Sequence, residues 1–314
     1  MIPAPHVVAV VVAYNRRDLL VEALAALAAQ DRPLDGVLVI DNASDDDSAA
    51  VATAAGATVV RLDRNTGGAG GFAAGIAHAV ETMGADLLWL MDDDTIPTPT
   101  ALSALLAAVE EYPGTVDVAG SRVVWTDGRD HPMNTPRRRP RVTGDDAAAA
   151  AAAGGVPVRS SSFVSMLVRA DSVRAHGLPV ADYFIWNDDF EYSCRLLRDG
   201  VGLHVPASVV LHKTKTFGAT DADPGPRFYF EVRNKIWLLT GSRALSGAER
   251  VLYAGASVRR WARTVARSAD RATLVRAALR GARDGLLRAP RPTTRVLDAL
   301  PVTAEVRAVE LGRR

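Results

Sequence analysis

The sequence predicts an α/β fold built on a doubly wound, mostly parallel sheet, with a helical extension at the C-terminus. Three observations support this prediction. Short aliphatic runs alternate with helical patterns through the first 91 residues. Polar, acidic or glycine-rich segments follow those runs, where ligands bind in sheets of this kind. The 314 residues, 48% of them hydrophobic, can supply one large domain and an appendage.

The predicted elements of the first half alternate regularly between strand and helix. The first strand is a continuous β-branched run, which is typical of a strand buried on both faces. The glycine-rich segment 63–71 is predicted as a turn before a helix. In order, the elements are strand 7–13, helix 16–30, strand 37–40, helix 49–55, strand 58–62, helix 72–83 and strand 87–91.

The second half is less regular. Residues 129–153 contain Arg137, Arg138, Arg139 and a seven-alanine tract, and they are interpreted as a surface loop with one short helix. A solvated role is the favoured interpretation for the three arginines, and contact with an anionic substrate is the alternative. The other predicted elements are helix 100–111, strand 117–124, strand 160–169, a helix from residue 188, and strands 201–205 and 208–211.

Three adjacent carboxylates, Asp92, Asp93 and Asp94, follow the buried run 87–91. Such a group is unfavourable unless a cation is present, because the charges repel one another. Alternation along an extended backbone points Asp92 and Asp94 the same way. The two are therefore predicted to share a hard cation with phosphate oxygens. An acidic turn that caps the next helix is the alternative.

Asp41, at the end of the second strand, and the glycines of segment 63–71 fall at the same predicted sheet edge. Asp41 is placed to accept hydrogen bonds from a ribose or base, and glycines let the backbone approach a ligand closely. Together with the acids they predict a nucleoside diphosphate and a metal. A dinucleotide-binding fingerprint at 68–75 is discounted, because it belongs in the first strand–helix turn, and residues 13–18 contain no glycine.

Composition limits the remaining possibilities. Lys+Arg number 37 against 36 Asp+Glu, and no nucleic-acid partner is expected. The single cysteine, Cys194, excludes an internal disulfide and fits a reducing cytosol. No basic segment precedes the apolar run 7–13, which is too short for a secretion signal. A cytoplasmic location is expected, with peripheral attachment to the inner face of the cell membrane as the alternative.

The C-terminal part is basic, with about nine more arginines than acids after Ser246. A helix through residues 251–265 would carry an apolar face flanked by arginines. Contact with an acidic membrane surface and packing on the main domain both explain this pattern. The two interpretations stay open here.

Four segments resemble a known family in order and spacing: Val12-Ala-Tyr-Asn15, Val39-Ile-Asp-Asn-Ala-Ser44, Asn65-Thr-Gly-Gly-Ala-Gly-Gly-Phe72 and Trp89-Leu-Met-Asp-Asp-Asp94. Residues 186–192, His212 and residues 229–237 extend the match. The chain resembles family 2 glycosyltransferases with the GT-A fold over roughly residues 7–240. The nearest likeness is to bacterial galactofuranosyltransferases and rhamnosyltransferases, with segment 65–72 favouring the first group.

The resemblance implies a role for each matching residue. It implies a GT-A domain at 1–240 and a basic helical extension at 241–314. Asp92, Asp94 and His212 would bind Mn²⁺ or Mg²⁺. Asp189 would be the catalytic base, with Asp188 as the second choice. The implied donor contacts are Tyr14, Asn15, Asp41, Asn65, Gly67, Gly68 and Asp93, and the implied acceptor contacts are Trp186 and Glu191.

The expected activity is inverting, metal-dependent transfer of a sugar to a lipid-linked or glycan acceptor in cell-wall or surface-polysaccharide synthesis. Galactofuranose from UDP-galactofuranose is the favoured donor sugar. Transfer from dTDP-rhamnose is the nearest alternative. A nucleotide-sugar-binding scaffold without turnover is the alternative of another class.

Overall fold

The computed structural model describes residues 4–217 and 223–312. In chain order the strands are β1 (Val7–Ala13), β2 (Gly36–Asp41), β3 (Thr58–Arg61), β4 (Leu87–Asp92), β5 (Thr95–Pro97), β6 (Val118–Val124), β7 (Arg137–Arg138), β8 (Val156–Ser160), β9 (Met166–Arg169) and β10 (Gly202–His212). The helices are α1 (Arg17–Ala28), α2 (Ser48–Ala54), α3 (Gly67–Glu81), α4 (Ala101–Glu111), α5 (Gly144–Ala152), α6 (Ala170–His176), α7 (Asp188–Leu196), α8 (Phe228–Thr240), α9 (Gly247–Arg267), α10 (Arg271–Leu287), α11 (Thr293–Val296) and α12 (Thr303–Leu311).

The described strands form one mixed sheet in the order β3-β2-β1-β4-β9-β6-β10-β8-β7. β1 to β4 are parallel to one another, and β6 is parallel to β10. β9 lies antiparallel between β4 and β6, and β5 pairs antiparallel with β10. The predicted α/β fold, with a mostly parallel doubly wound sheet and C-terminal helices, is confirmed.

Helices cover both faces of β1, so this strand is buried along its whole length. On one face, Val8, Val10 and Val12 belong to the same core as α3. On the other face, Val7 and Val11 belong to a core with α1 and α4. The continuous apolar run of β1 is therefore explained by burial from two sides.

α3 begins at Gly67, five residues before the predicted start. Its glycines make close packing possible, because a Cβ on Gly71 would lie 2.5 Å from Val12, and one on Gly75 would lie 2.4 Å from Val10. Glycine normally disfavours a helix, which is why the sequence pattern indicated a turn. Tertiary packing outweighs that local preference here.

The predicted single strand at 160–169 is wrong, because β8 and β9 are separate strands on either side of a turn. The two strands predicted at 201–205 and 208–211 are instead one strand, β10, with a bulge between Val205 and Val209. The short helix expected within 129–153 is α5, whose first turn is capped by the Thr143 hydroxyl accepting from the Asp146 N–H at 3.1 Å.

The C-terminal helices pack on the main domain at two places. Leu297, Leu300 and Val306 join the core that contains α3. Trp261 and Val265 of α9 pack with α8 and α10. None of the helices within the described ranges has both the length and the apolar character that a membrane span requires. The domain boundary at residues 240/241 stays a prediction.

Candidate active site

The carboxyl ends of neighbouring strands bring the predicted site residues to one edge of the sheet. Asp41 ends β2 and Asp92 ends β4, and both strands pair with β1. Tyr14 follows β1, and its backbone N–H donates to Asp93 Oδ2 at 3.0 Å. This is the edge at which doubly wound sheets bind ligands.

Asp92, Asp94 and His212 form a candidate metal site, with one potential ligand atom from each lying within 4.8 Å of the others. Asp93 and Asp94 lie in a turn, not in an extended strand. After this turn β5 pairs with β10, which places Thr95 opposite His212. Asp92 and Asp94 therefore lie together as predicted. The turn at Asp93 and Asp94 brings them together, and the predicted alternation along an extended strand does not occur there.

The hydrogen bonding of His212 fits a metal ligand. His212 Nδ1 lies 2.9 Å from Asn134 Oδ1, and His212 Nε2 lies 3.2 Å from Asp94 Oδ1. When Nδ1 donates its proton to Asn134, Nε2 and the Asp94 oxygen face each other as two acceptors. That oxygen is buried and has no hydrogen-bond partner among the described residues. A hard divalent ion between carboxylates and imidazole resolves this arrangement, and the donor set suits Mn²⁺ or Mg²⁺.

The electrostatics of the acidic turn also favour a cation. Burial raises the pKa of Asp92 to about 6, and the charge of Asp94 adds to this effect. Burial raises the pKa of Asp93 to about 7, although Arg16 opposes the change. Burial also disfavours the Asp94 carboxylate, but the neighbouring His212 and the charge of Arg16 hold its pKa below the usual value. Arg16 Nη1 donates to Asp93 at 3.2 Å and to Asp94 at 2.5 Å, yet one cation cannot balance three acids.

Asp41 is completely buried and keeps one carboxylate oxygen available. The Ser44 N–H donates to Oδ1 at 3.0 Å, whereas Oδ2 is without a hydrogen bond among the described residues. The nearest cation is Arg61, whose Nε lies 3.4 Å from Oδ2. Asn15 ties the turn after β1 to the same loop, since its Oδ1 accepts from the Asp45 N–H at 2.7 Å. An unsatisfied buried acceptor at this edge suits a ligand hydroxyl or base N–H.

The glycine-rich turn before α3 is held by asparagines. Asn42 accepts from the Thr66 N–H at 2.8 Å and donates to the Gly67 carbonyl at 2.9 Å. Asn65 Oδ1 accepts from the Gly67 N–H at 2.8 Å. Gly67 has φ +71°, and a Cβ there would lie 2.1 Å from the Phe184 carbonyl oxygen. Only glycine fits this contact between the turn and the segment before α7.

Asp188 and Asp189 begin α7, and both are close enough to Asp92 for the charges to interact. A Cβ on Gly68 would lie 3.9 Å from Asp188 Oδ2, so this carboxyl group lies beside the start of α3. Burial raises the pKa of Asp188 well above its usual value, with a contribution from the charge of Asp189. Burial also raises the pKa of Asp189, although the Phe190 N–H donates to its Oδ1 at 2.7 Å. Raised carboxyl pKa values in a cleft are characteristic of general acid–base groups.

The segment before α7 has an unusual backbone. Phe184, Trp186 and Asn187 all have φ between 64° and 66°, which is unfavourable for residues other than glycine. Asn234 Nδ2 lies 2.8–2.9 Å from three carbonyl oxygens of this segment. Arg233 donates to the Asp182 carbonyl at 2.7 Å and shares the Tyr183 carbonyl with Asn234 at 3.1 Å. These two residues of α8 thus hold the turn that delivers the α7 acids.

A line of polar side chains leads from the candidate metal site towards the candidate base. Beyond His212, Asn134 Nδ2 donates to Ser162 Oγ at 3.0 Å. The Ser162 hydroxyl in turn acts on Asp189, whose pKa it lowers against the effect of burial. Sequence reasoning missed Asn134 and Ser162, because one lies in the segment interpreted as a loop and the other in the turn between β8 and β9. No local pattern distinguishes them from other polar loop residues.

Glu191 and Trp186 were predicted to contact the acceptor. Glu191 is buried and accepts from Arg195 Nε at 3.0 Å and from the Ser242 hydroxyl at 2.7 Å. Trp186 is half-buried two residues before Asp188. The contacts of Glu191 favour a role inside the protein, and acceptor contact by either residue stays a prediction.

A mixed sheet with a cluster of acids and a histidine at its carboxyl edge is the architecture of a GT-A glycosyltransferase. Residues 8–173 match the family model described as glycosyl transferase family 2. The chain therefore belongs to glycosyltransferase family 2 and is a glycosyltransferase.

Among curated proteins, the chain is similar to the galactofuranosyltransferase GlfT1 of Mycolicibacterium smegmatis, with 35% identity over 203 residues, 62% of this chain and 66% of that protein. It is also similar to the galactofuranosyltransferase GlfT1 of Mycobacterium tuberculosis, with 35% identity over 266 residues, 77% of this chain and 86% of that protein.

Solved structures agree on the fold. S. aureus TarS (residues 1–349) in complex with UDP-GlcNAc has a TM-score of 0.60 at 15% identity, over 98% of this chain and 87% of that one. The mannosyltransferase PcManGT from Pyrobaculum calidifontis, in complex with GDP-Man and Mn²⁺, has a TM-score of 0.55 at 18% identity, over 99% of this chain and 87% of that one.

Proposed function

We propose that the protein is an inverting, metal-dependent glycosyltransferase that moves galactofuranose from UDP-galactofuranose to a lipid-linked or glycan acceptor. Cell-wall or surface-polysaccharide synthesis is the proposed setting. The observation that carries the proposal is the meeting of Asp92, Asp94 and His212 close to the acids that begin α7. The choice of donor is supported by 35% identity to proteins named galactofuranosyltransferases.

In this proposal the donor lies along the carboxyl edge of β1, β2 and β4. The free oxygen of Asp41 accepts a hydrogen bond from the nucleoside. Gly67 and Gly68 have no side chains, so the donor can approach the start of α3, where backbone N–H groups favour anions. The proposed donor contacts are Tyr14, Asn15, Asp41, Asn65, Gly67, Gly68 and Asp93.

Mn²⁺ or Mg²⁺ bound by Asp92, Asp94 and His212 would supply Lewis-acid stabilisation of the leaving diphosphate. Asn134 keeps the His212 ring oriented, since it accepts from Nδ1 and leaves Nε2 for the metal site. Arg16 balances part of the acidic charge when the ligand is absent.

Asp189 is proposed to accept the proton of the acceptor hydroxyl as that oxygen attacks the anomeric carbon. Its raised pKa makes it a stronger base than an ordinary carboxylate. One displacement from the face opposite the leaving group inverts the anomeric configuration. Asp188 is the second candidate for the base, and Trp186 the candidate acceptor contact.

Two other activities remain to be separated by experiment. If the protein is a rhamnosyltransferase, dTDP-rhamnose should raise its unfolding temperature more than UDP-galactofuranose does. A non-catalytic nucleotide-sugar-binding scaffold would bind a donor in the presence of Mn²⁺ but would not transfer its sugar. Measuring the unfolding temperature with a panel of nucleotide sugars, with and without Mn²⁺, distinguishes a rhamnosyltransferase from a galactofuranosyltransferase.

Asp189→Asn tests the catalytic role. Transfer should fall about 10²–10⁴-fold, because a general base is lost. UDP affinity in Mn²⁺ should stay within about twofold, since this residue is not a proposed metal ligand. The control is Asp171→Asn, whose side chain is 82% exposed. Unchanged transfer by Asp189→Asn would overturn the assignment, and a wild type that transfers no tested sugar would favour the scaffold.

A peripheral membrane contact is also proposed, on the exposed faces of α9 and α10. Val251, Leu252 and Val258 are 76%, 70% and 60% exposed, and Leu279 and Leu286 are 66% and 69% exposed. No acidic residue occurs within 250–267 or 271–283, whereas both segments contain several arginines. Apolar side chains surrounded by arginines favour the interface of an acidic membrane, where each basic residue contributes about 1 kcal/mol.

Sedimentation with vesicles tests this contact. The protein should bind vesicles that contain phosphatidylglycerol and should not bind pure phosphatidylcholine. Leu252→Asp and Leu286→Asp should each reduce binding, whereas Leu311→Asp, at a 78% exposed position on α12, should not. Equal binding by all three variants would refute the assignment of this face.

A further inference from the structure

Lys235 of α8 is a buried cation that makes no ion pair with a described carboxylate, although its charge acts on Asp189 at longer range. It is 7% exposed, and no carboxylate of the described residues lies within ion-pair distance of its ammonium group. Its ring contact is with Phe190, whose centroid lies 5.1 Å from Nζ. Burial lowers the pKa of Lys235 to about 8. A buried lysine without an ion-pair partner is costly, and an anionic ligand would reduce that cost.

The natural partner of Lys235 is occupied by other donors. Glu231 lies one helical turn earlier on α8. Its carboxylate accepts instead from Arg260, from Trp261 Nε1 at 3.1 Å and from Asn187 Nδ2 at 2.9 Å. Glu231 therefore pairs with Arg260, and it acts on Lys235 only from beyond ion-pair distance.

A second cation without an ion pair among the described residues, the exposed Arg137 of β7, lies near the same aromatic ring. The guanidinium carbon of Arg137 is 5.5 Å from the Phe190 centroid and 5.4 Å from that of Tyr253. Within the described part of the chain, Arg137 has no ion pair with a carboxylate. Phe190 directly follows Asp189 and donates its N–H to that carboxylate at 2.7 Å. Two unpaired cations thus flank the residue next to the candidate base.

We propose that Lys235 and Arg137 form a subsite for the phosphate or diphosphate group of the acceptor substrate. The proposal rests on the function assigned above, because it places the acceptor hydroxyl at Asp189. Two cations match the charge of a phosphate or diphosphate ester, and Arg and Lys are its usual side-chain ligands. Phe190 supplies an apolar ring between the two cations and the start of α7.

The surroundings indicate where the rest of such an acceptor lies. Tyr253 packs edge-on against Phe190 at 5.3 Å and belongs to α9. Val251 and Leu252, the two preceding residues, are exposed. An alkyl chain on the phosphate would leave the subsite over this apolar surface, whereas a soluble sugar phosphate would not use it. The phosphate group could thus belong to a lipid-linked acceptor or to a soluble sugar phosphate, and experiment can separate the two.

Titration calorimetry with methyl diphosphate and geranyl diphosphate, in EDTA, tests the subsite directly. EDTA prevents a metal at the acidic turn from holding the diphosphate. Lys235→Met and Arg137→Met should each weaken binding about tenfold or more, as loss of a charge-assisted hydrogen bond does. Arg138→Met, at an exposed neighbouring position in β7, is the matched control and should stay within about twofold.

Each result decides the assignment. Equal affinities for wild type, Lys235→Met and Arg137→Met would overturn it, as would an equal loss in Arg138→Met. Tighter binding of geranyl diphosphate that is lost in Leu252→Asp supports a lipid-linked acceptor, and equal binding of both ligands supports a soluble one. The calorimetry needs no sugar transfer. A failure of the proposed activity is therefore seen separately, as absence of transfer from every donor.

Discussion

Replacing Lys235 with methionine should stabilise the ligand-free protein, although it removes a proposed binding group. Burial of the ammonium group lowers the pKa of Lys235 from 10.5 to about 8. Each unit of pKa difference between the folded and unfolded states is worth about 1.4 kcal/mol, so the charged lysine costs the folded state about 3 kcal/mol. Methionine fills a similar volume and loses only the cation–π contact with Phe190, about 0.5–2 kcal/mol. The net gain at pH 7 should be about 1–3 kcal/mol.

The pH dependence gives this prediction its sign. Below pH 8 lysine is protonated in both states, so the whole penalty is present. Between pH 8 and 10.5 the unfolded chain binds more protons than the folded one, and the stability of the wild type therefore rises with pH. The advantage of Lys235→Met should shrink over this interval. Near pH 9.5 it should be reduced by about 2 kcal/mol.

Urea unfolding of both proteins at pH 7 and pH 9.5 measures the difference. Arg138→Met serves as the control for removing an exposed positive charge, and its free energy of unfolding should change by less than about 0.5 kcal/mol. If Lys235→Met were destabilised equally at both pH values, the lysine would be making a favourable internal contact. Such a result would count against Lys235 as a binding group for the acceptor phosphate.

Two further predictions concern the site itself. Gly67→Ala should destabilise the protein more than the control Gly84→Ala in urea unfolding. Both glycines have positive φ, but only a Cβ at position 67 would meet another atom, the Phe184 carbonyl oxygen at 2.1 Å. Equal losses of stability would contradict the close contact. Asn134→Ala should weaken Mn²⁺ binding about 10–100-fold in titration calorimetry, because the His212 ring loses the acceptor that orients it; an unchanged affinity would show that Asn134 does not position this ligand.

The first half of the fold could be predicted from sequence because its strands are buried on both faces. Continuous apolar runs such as 7–13 and 87–91 need no tertiary information to be recognised. The polar residues that end these strands were then placed correctly at one edge, since parallel strands share their carboxyl ends. Asp41, Asp92 and Asp94 could therefore be assigned to this edge from the sequence alone.

Other features depend on contacts between distant segments. The start of α3 at Gly67 was missed because glycine disfavours helices locally, while the packing of Gly71 on Val12 permits one. Asn134 and Lys235 belong to segments far from the acidic turn in sequence, and although residues 229–237 extend the family match, no role for Lys235 was predicted. Their roles follow from strand pairing and helix packing, which the composition of their own segments does not encode.

The apolar face expected at 251–265 shows a third limit of prediction from sequence, because its packing partner could not be identified. The sequence pattern is the same for a helix packed on protein and one facing a membrane. In the structure the pattern divides, with Trp261 and Val265 packed inside and Val251 and Leu252 outside. Helical periodicity identified the residues but not their partners.

We propose above all that Asp92, Asp94 and His212 hold a divalent ion that binds the diphosphate of the donor. Anomalous diffraction at the manganese edge, from crystals grown with Mn²⁺ and UDP, locates such an ion. One peak is expected roughly 2.0–2.3 Å from a carboxylate oxygen of each aspartate and from His212 Nε2, with UDP oxygens in its shell. A nucleotide bound elsewhere, or a UDP complex whose acidic turn has no manganese, would contradict it.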